Sequence, residues 1–287
     1  MISKVPLSKK ISTYFTKIKA KVYTTEELHV MIADFAKAVR TPLDAEPSEY
    51  LDWLIVQRII TAITFIDKNE KIINRYVRAG YKPSTYELAL TLKPRCYLSH
   101  LSAAYIHGFV KTKPEILYVT SEGSEKLDLP MVTDPDAIAS AFKGKARRSG
   151  SVYTIGNDKC ILLGGKFTRQ LGVIKKDEVT VTDPERTLLD AVVRPFYAGG
   201  AQTVLDIYRT AKGQISVPTL IEYLNEINFA YPYHQAIGFY LEKAGYRGKA
   251  LTRLDMNYDK TKFYLDYEMN SPEFDKKWQV YFPRDLK

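Results

Sequence analysis

Residues 181–195, Val181-Thr182-Asp183-Pro184-Glu185-Arg186-Thr187-Leu188-Leu189-Asp190-Ala191-Val192-Val193-Arg194-Pro195, hold a strand end, a helix start and a buried helix face in one phrase. The β-branched run Val179-Thr180-Val181 reads as a strand. Asp183 then stands where its carboxylate can accept the free first-turn amides, and Pro184 at the first helical position has no N–H to lose. Glu185 adds negative charge at the helix's positive end. Arg186 and Asp190 lie four apart on one face, and Leu188, Leu189, Val192 and Val193 form the buried stripe. None of these residues is a nucleophile.

Outward from this phrase the element types separate. Toward the carboxy terminus helices are expected over 183–194, 202–212, 216–228 and 232–244. Strands return at 263–267 and 278–282, where Trp278, Val280 and Phe282 alternate inward. Toward the amino terminus lie strand-like runs at 116–120, 151–155, 160–163 and 173–174, with turns at Gly156-Asn157-Asp158 and Gly164-Gly165. In Tyr97-Leu98-Ser99-His100-Leu101-Ser102-Ala103-Ala104-Tyr105-Ile106-His107-Gly108-Phe109, Ser99 is expected to cap a short helix that Gly108 ends. Strands, then helices, then strands predict an α+β domain over 97–287.

The first 80 residues have a different order. Leu7, Ile11, Phe15 and Ile18 are at helical spacing, Thr24 or Thr25 caps a second helix over 26–37, and Pro47-Ser48 open a third through Ile60. Two strands, 62–66 and 71–78, meet at the turn Asp67-Lys68-Asn69-Glu70. Three helices plus a hairpin is the order of a winged helix-turn-helix, in which the third helix enters the major groove and the wing touches the backbone. Residues 81–96, with a short helix over 84–92, read as a connector.

At 287 residues two domains are the default. The chain carries 45% hydrophobic and 26% charged residues, the balance of a globular protein. It has no run of about 18 apolar residues and no secretory leader pattern, so a cytosolic protein without a membrane partner is expected. Cys96 and Cys160 suggest neither a disulfide framework nor a zinc site.

The formal net charge of +9 favours an anionic partner. Residues 1–21 hold Lys4, Lys9, Lys10, Lys17, Lys19 and Lys21 and no acid; the structural alternative is a solvated tail and helix face. A second block, Lys143, Lys145, Arg147, Arg148, Lys159, Lys166, Arg169, Lys175 and Lys176, is opposed only by Asp158. These nine are expected to form a carboxy-terminal basic surface. In the first domain the DNA contacts are expected at Lys9, Lys10 and Lys17, at Ser48, Tyr50, Gln57 and Arg58 of the third helix, and at Lys68, Lys71, Arg75 and Arg78 of the wing, which reads as a phosphate clamp. The third helix, with Glu49 and Asp52, is a weak reader.

Catalytic constellations are sparse. His100 and His107 would share a helix face but lack a third ligand nearby. Gly123-Ser124 with Asp128 lacks the paired aspartates of nucleotidyl transfer. The late acids Asp255, Asp259, Asp266 and Glu268, beside Lys260 and Lys262, are the remaining candidates for a nuclease-like site, though without its spacing. No cofactor is expected. The 21 tyrosines could stack on bases or serve packing.

The phrase at 181–191 resembles the V-T-x-x-E-R-T-L-L-D-x element of the AbiEi family of antitoxins, the DNA-binding halves of type IV toxin–antitoxin systems used in phage defence. Ser99–Gly108 is similar to that family's S-H-x-S-A-x-x-x-H-G element. Tyr233–Gly245, like the family's late helix ending at a glycine, and Leu254-Asp255 followed by Lys277-Trp278-Gln279-Val280 keep the same order, so the resemblance spans about residues 81–280. It implies an antitoxin, not an enzyme: a repressor that binds inverted repeats in double-stranded promoter DNA and neutralises a nucleotidyltransferase-like toxin without a stable complex. A nucleic-acid-processing enzyme using Asp255, Asp266 and Glu268, or a winged-helix regulator that senses a small ligand, are the alternatives.

Overall fold

Asp183 behaves as the Asp-Pro pair predicts. Its Oδ1 accepts from the Arg186 amide at 2.7 Å, and the helix Pro184–Val193 follows with Pro184 in its first turn. The computed structural model describes all residues except 1–4, 44, 126–129, 131, 133 and 257–260, and omits the side chains of 5–8, 250, 253, 255 and 256. Lys4, Asp128, Asp259 and Lys260, and the side chains of Leu7 and Asp255, therefore lie outside the described residues.

The protein is a mixed α+β structure that divides into two compact units, Met1–Pro94 with Ser151–Cys160, and Arg95–Gly150 with Ile161–Lys287. The first unit begins α1 (Val5–Phe15), β1 (Val22–Tyr23), α2 (Thr25–Ala38), α3 (Pro47–Val56), β2 (Ile60–Asp67), β3 (Ile72–Arg78) and α4 (Thr85–Ala89). The second opens with β4 (Tyr97–Leu98), α5 (His100–Ile106), β5 (Ile116–Glu122) and α6 (Pro135–Lys143). The chain then returns to the first unit in β6 (Val152–Ile155) and the start of β7 (Asp158–Gly165). Afterwards come β8 (Val173–Lys176), β9 (Val179–Thr182), α7 (Pro184–Val193), a 3₁₀ turn (Pro195–Tyr197), α8 (Ala201–Thr210), α9 (Val217–Ile227), α10 (Tyr233–Lys243) and α11 (Lys249–Met256). β10 (Phe263–Tyr264), β11 (Glu273–Asp275) and β12 (Val280–Phe282) end the chain.

In the first unit the strand order is β1-β3-β2-β6, antiparallel throughout. Its core packs Ile11 and Phe15 of α1, Leu28 and Ile32 of α2, and Tyr50, Leu51 and Leu54 of α3 against Ile60 and Tyr76. Thr24 caps α2 through a capping box with Glu27. α3 stops at Val56, four residues short of the expected end. Arg58 takes a left-handed backbone (φ 57°), and the β-branched run from Ile59 pairs with β3 instead of continuing the helix. Residues 81–94, expected as a connector, belong to this unit: α4 packs on β6, and Thr85 Oγ1 donates to Asp158 at 2.6 Å.

In the second unit β4 pairs antiparallel with β5 and parallel with β9, and β9 pairs antiparallel with β8. α7, α8, α9 and α10 bury a continuous apolar core that reaches Phe263 and Val280 of the β10-β12-β11 sheet, with Leu265 and Trp278 beside it. Trp278 lies against α10 at Gly238, where any Cβ would fall 2.0 Å from the indole.

The polar residues of 181–195 tie these parts together. Arg186, 4% exposed, donates from Nε to Asp190 at 2.8 Å, and from its other nitrogens to Leu171 O at 2.8 Å, Thr168 Oγ1 at 3.3 Å and Tyr97 Oη at 3.5 Å. Burial disfavours the charged guanidinium, yet Asp190, with Tyr97 and Glu122, holds its pKa above the ordinary value. Glu122 in turn accepts from the Thr168 and Gln170 amides and the Thr168 hydroxyl. Asp183 accepts from Tyr223 Oη at 2.8 Å, and Glu185 from the Ser216 amide at 2.7 Å, which pins α9 to the start of α7.

Candidate nucleic-acid interface

Three helices and a hairpin leave the first unit's lysines at the surface for local reasons. On α1 the inward positions are Ile11 and Phe15, so Lys9 and Lys10 point outward, and Lys17 is exposed just after the helix. At the hairpin tip Asp67 Oδ1 accepts from the Asn69 and Lys71 amides at 2.8 and 2.9 Å, which folds the turn and presents Lys68 and Lys71 together in solvent. Arg78 Nη1 donates to Ile18 O at 3.1 Å and so brings the base of the hairpin beside the segment that carries Lys17 and Lys19.

Three expected contacts are corrected. Tyr50 is fully buried in the first unit's core and faces no ligand, because it takes an inward position of α3 between helix and sheet. Arg75 is 8% exposed: its Nε and Nη2 donate to Thr91 Oγ1 (2.9 Å) and Thr91 O (2.6 Å), its Nη1 to Asn74 O, and its guanidinium lies 5.6 Å from the Phe65 ring. It holds the segment after α4 onto β3 and cannot clamp a phosphate. Arg78 is half-buried on the same strand, tethered to Ile18. Gln57 and Arg58 are exposed but lie past the end of α3, where Gln57 is the C-cap. On α3 the outward residues are Ser48, Glu49, Asp52 and Val56, a face with two acids and no base.

The nine cations of the second basic block have different local roles. Lys159 belongs to the first unit, exposed next to Asp158. Lys166 Nζ donates to Asn228 O at 2.6 Å, and Lys176 Nζ to Ile106 O at 3.1 Å, so these two serve the scaffold. Lys143, Lys145, Arg147, Arg148, Arg169 and Lys175 are exposed, on α6 and the segment after it, in the turn before β8 and on β8. Arg147 and Arg148 border a cleft that also takes in Arg194, whose only visible part in the sequence is to end the helix expected over 183–194.

His100, His107 and Asp266 have structural partners. Ser99 does not cap α5 with its side chain; its hydroxyl meets Thr120 Oγ1 at 2.7 Å and His100 Nδ1 at 2.9 Å. Burial pushes the His100 pKa down to about 4, so the ring is neutral at physiological pH. His107 Nε2 hydrogen-bonds Thr182 O at 2.6 Å, and burial lowers its pKa also. Asp266 accepts from the Ala201 and Tyr267 amides, capping α8, and burial raises its pKa. Glu268 is exposed. Among the described residues no group of three or more His, Cys, Asp or Glu side chains is disposed to hold a metal ion. Cys96 and Cys160 are buried. Among the described residues no helix is long and apolar enough to cross a membrane.

The sequence matches no protein-family model and no curated protein. The fold is similar to the crystal structure of the RV2827C protein from Mycobacterium tuberculosis, with a TM-score of 0.58 at 12% identity over 99% of this chain and 93% of that one. At that identity the likeness is one of fold alone.

Proposed function

We propose that the chain is a regulator that binds duplex DNA through a winged helix-turn-helix in its first unit, and that it serves as the antitoxin of a type IV toxin–antitoxin operon. The observation that carries the DNA-binding half is the pairing of β1 with β3. It sets the order helix, strand, helix, helix, hairpin with the short strand against the hairpin's second strand, which supports the winged-helix reading. The antitoxin half rests on the AbiEi-like phrases at 99–108 and 181–191.

The distribution of charge refines how such a module works. The outward acids Glu49 and Asp52 on α3 repel phosphate, so backbone contact falls to Lys9, Lys10, Lys17, Lys68 and Lys71. Ser48, Gln57 and Arg58 are left as candidate base readers. A protein of this kind grips the backbone first and reads few bases.

The test uses full-length protein and a duplex from its own promoter, with anisotropy followed as potassium chloride rises. Replacing Lys9, Lys10, Lys17, Lys68 and Lys71 by Ala should lower the log–log salt slope by about 0.9 for each phosphate that is no longer neutralised. Absence of duplex binding at low ionic strength, or an unaltered slope in the variant, overturns the DNA-binding reading. Co-expression that fails to rescue cells from the nucleotidyltransferase-like product of the same operon overturns the antitoxin reading.

A further inference from the structure

A cleft of ≈ 600 Å³ in the second unit gathers cations and flat rings from four separate stretches of chain. Its wall carries Arg147, Arg148 and Arg194 beside Phe196, Tyr231 and Tyr267, and no carboxylate among the described residues that line it. That size falls in the range of small-molecule sites.

The rings form a braced wall. Tyr267 stacks on Phe142 with centroids 4.7 Å apart, Phe196 meets Tyr267 edge-on at 5.7 Å, and Tyr231 meets Phe142 edge-on at 5.7 Å. Phe196, Tyr231 and Tyr267 are each half-buried, so part of each ring remains open to solvent while its packing fixes its plane. Arg194 is anchored too: Nη1 and Nη2 both donate to Gly164 O at 3.2 Å, which leaves further N–H groups directed elsewhere. Arg147 and Arg148 are exposed and form no ion pair with a carboxylate among the described residues.

Three guanidiniums with no counter-ion among the described residues suit phosphate, and preset aromatic planes suit a base. We propose that this cleft binds a nucleotide, its phosphates on Arg147, Arg148 and Arg194 and its base against Phe196, Tyr231 and Tyr267. The ligand is a free nucleotide or an unpaired nucleotide of a single strand, which share this chemistry. A paired and stacked base inside a duplex has no open face to offer, so the site is distinct from the duplex-binding module and does not depend on it.

Calorimetric titration of the full chain tests this with ATP, GTP, CTP and UTP, a 5′-phosphorylated ten-nucleotide single strand, and inorganic triphosphate as a charge-only control. At least one base-bearing probe should bind saturably and more tightly than inorganic triphosphate. Tyr231→Leu, or Phe196→Leu if the first variant melts early, should weaken that probe by about tenfold and leave inorganic triphosphate unaltered. Arg147→Ala with Arg148→Ala, both exposed, should weaken every probe. Preference for a mononucleotide identifies a free-nucleotide site, and preference for the oligonucleotide a strand site. The proposal is overturned if no probe binds at millimolar concentration, if inorganic triphosphate binds as well as any nucleotide, or if the arginine pair can be removed without effect. Duplex binding measured on the same variants reports separately on the first unit.

Discussion

Arg186→Met tests whether the polar residues of 181–195 build the scaffold or serve a ligand. The substitution keeps most of the side chain's volume but strands Asp190, 7% exposed, and takes donors from Leu171 O and Thr168 Oγ1. Breaking one side of a buried ion pair costs about 3–5 kcal/mol, and an orphaned buried carbonyl about 1 kcal/mol more. A loss of about 4–6 kcal/mol is therefore expected. Arg186→Met combined with Asp190→Leu removes both charges, and because a buried pair offsets its own desolvation only in part, the double variant should recover at least about 2 kcal/mol of that loss. The two tryptophans, Trp53 and Trp278, sit in different units, so a Trp53→Phe background makes indole fluorescence report urea unfolding of the second unit alone. That avoids treating two units as one transition. A cost below about 1 kcal/mol for Arg186→Met, or a double variant no more stable than the single, refutes the scaffold role and makes Arg186 a candidate ligand contact instead.

Two other outcomes follow from packing and burial. The neutral His100, with its pKa near 4 against about 6.5 unfolded, makes the unfolded chain bind more protons between those values, so its contribution lowers stability as pH falls through that window. The loss is on the order of 3 kcal/mol, and urea midpoints measured from pH 7 to 4 should fall less steeply in His100→Gln; parallel pH dependence in the two proteins counts against it. Gly238→Ala gains about 1 kcal/mol of helix propensity but drives a methyl into Trp278 at 2.0 Å, so a net loss of about 2 kcal/mol is expected, partly relieved in Trp278→Leu. Equal or greater stability of Gly238→Ala in thermal melts would show that the indole yields to the methyl and that the close approach sets no constraint.

What could be read from the sequence was local. The Asp183-Pro184 start, the Arg186–Asp190 pair and the inward Leu188 and Leu189 depend on neighbours within one or two helical turns, and all appear in the structure. The same signal at Asp134-Pro135, with Asp134 accepting from Asp136 N, opens α6, a helix absent from those expected on sequence. β1 and β4 have two residues each, too few for any periodicity to show. Arg75 resembles a wing cation only while the hairpin is read alone, since its partner, Thr91, lies sixteen residues on and outside it. Tyr50 resembles a polar reader because a tyrosine's hydroxyl says nothing about which way its ring faces. The cleft is invisible in sequence because Arg147, Arg194, Tyr231 and Tyr267 come from four distant segments, and only the fold of the second unit assembles them.

The tethered cations also bound what the charge of +9 can do. Of the first unit's expected contacts, Arg75 and Arg78 are held by backbone carbonyls, and of the second block Lys166 and Lys176 are held likewise. A cation tethered to a carbonyl inside the fold cannot swing out to follow a duplex backbone, unlike Arg194, whose remaining N–H groups border a cleft that a small ligand can enter. Among the first unit's expected contacts the exposed cations are then Lys9, Lys10, Lys17, Arg58, Lys68 and Lys71. If each neutralised one phosphate, these six would give a salt slope of about 5. A measured slope well above that requires further cations on the same duplex: Lys19 or Lys159 of the first unit, Lys143, Lys145, Arg169 or Lys175 of the second, or a second chain bound alongside. Protein-concentration dependence of the slope separates the last case: a value that rises with occupancy belongs to paired chains, and a constant one to a single chain.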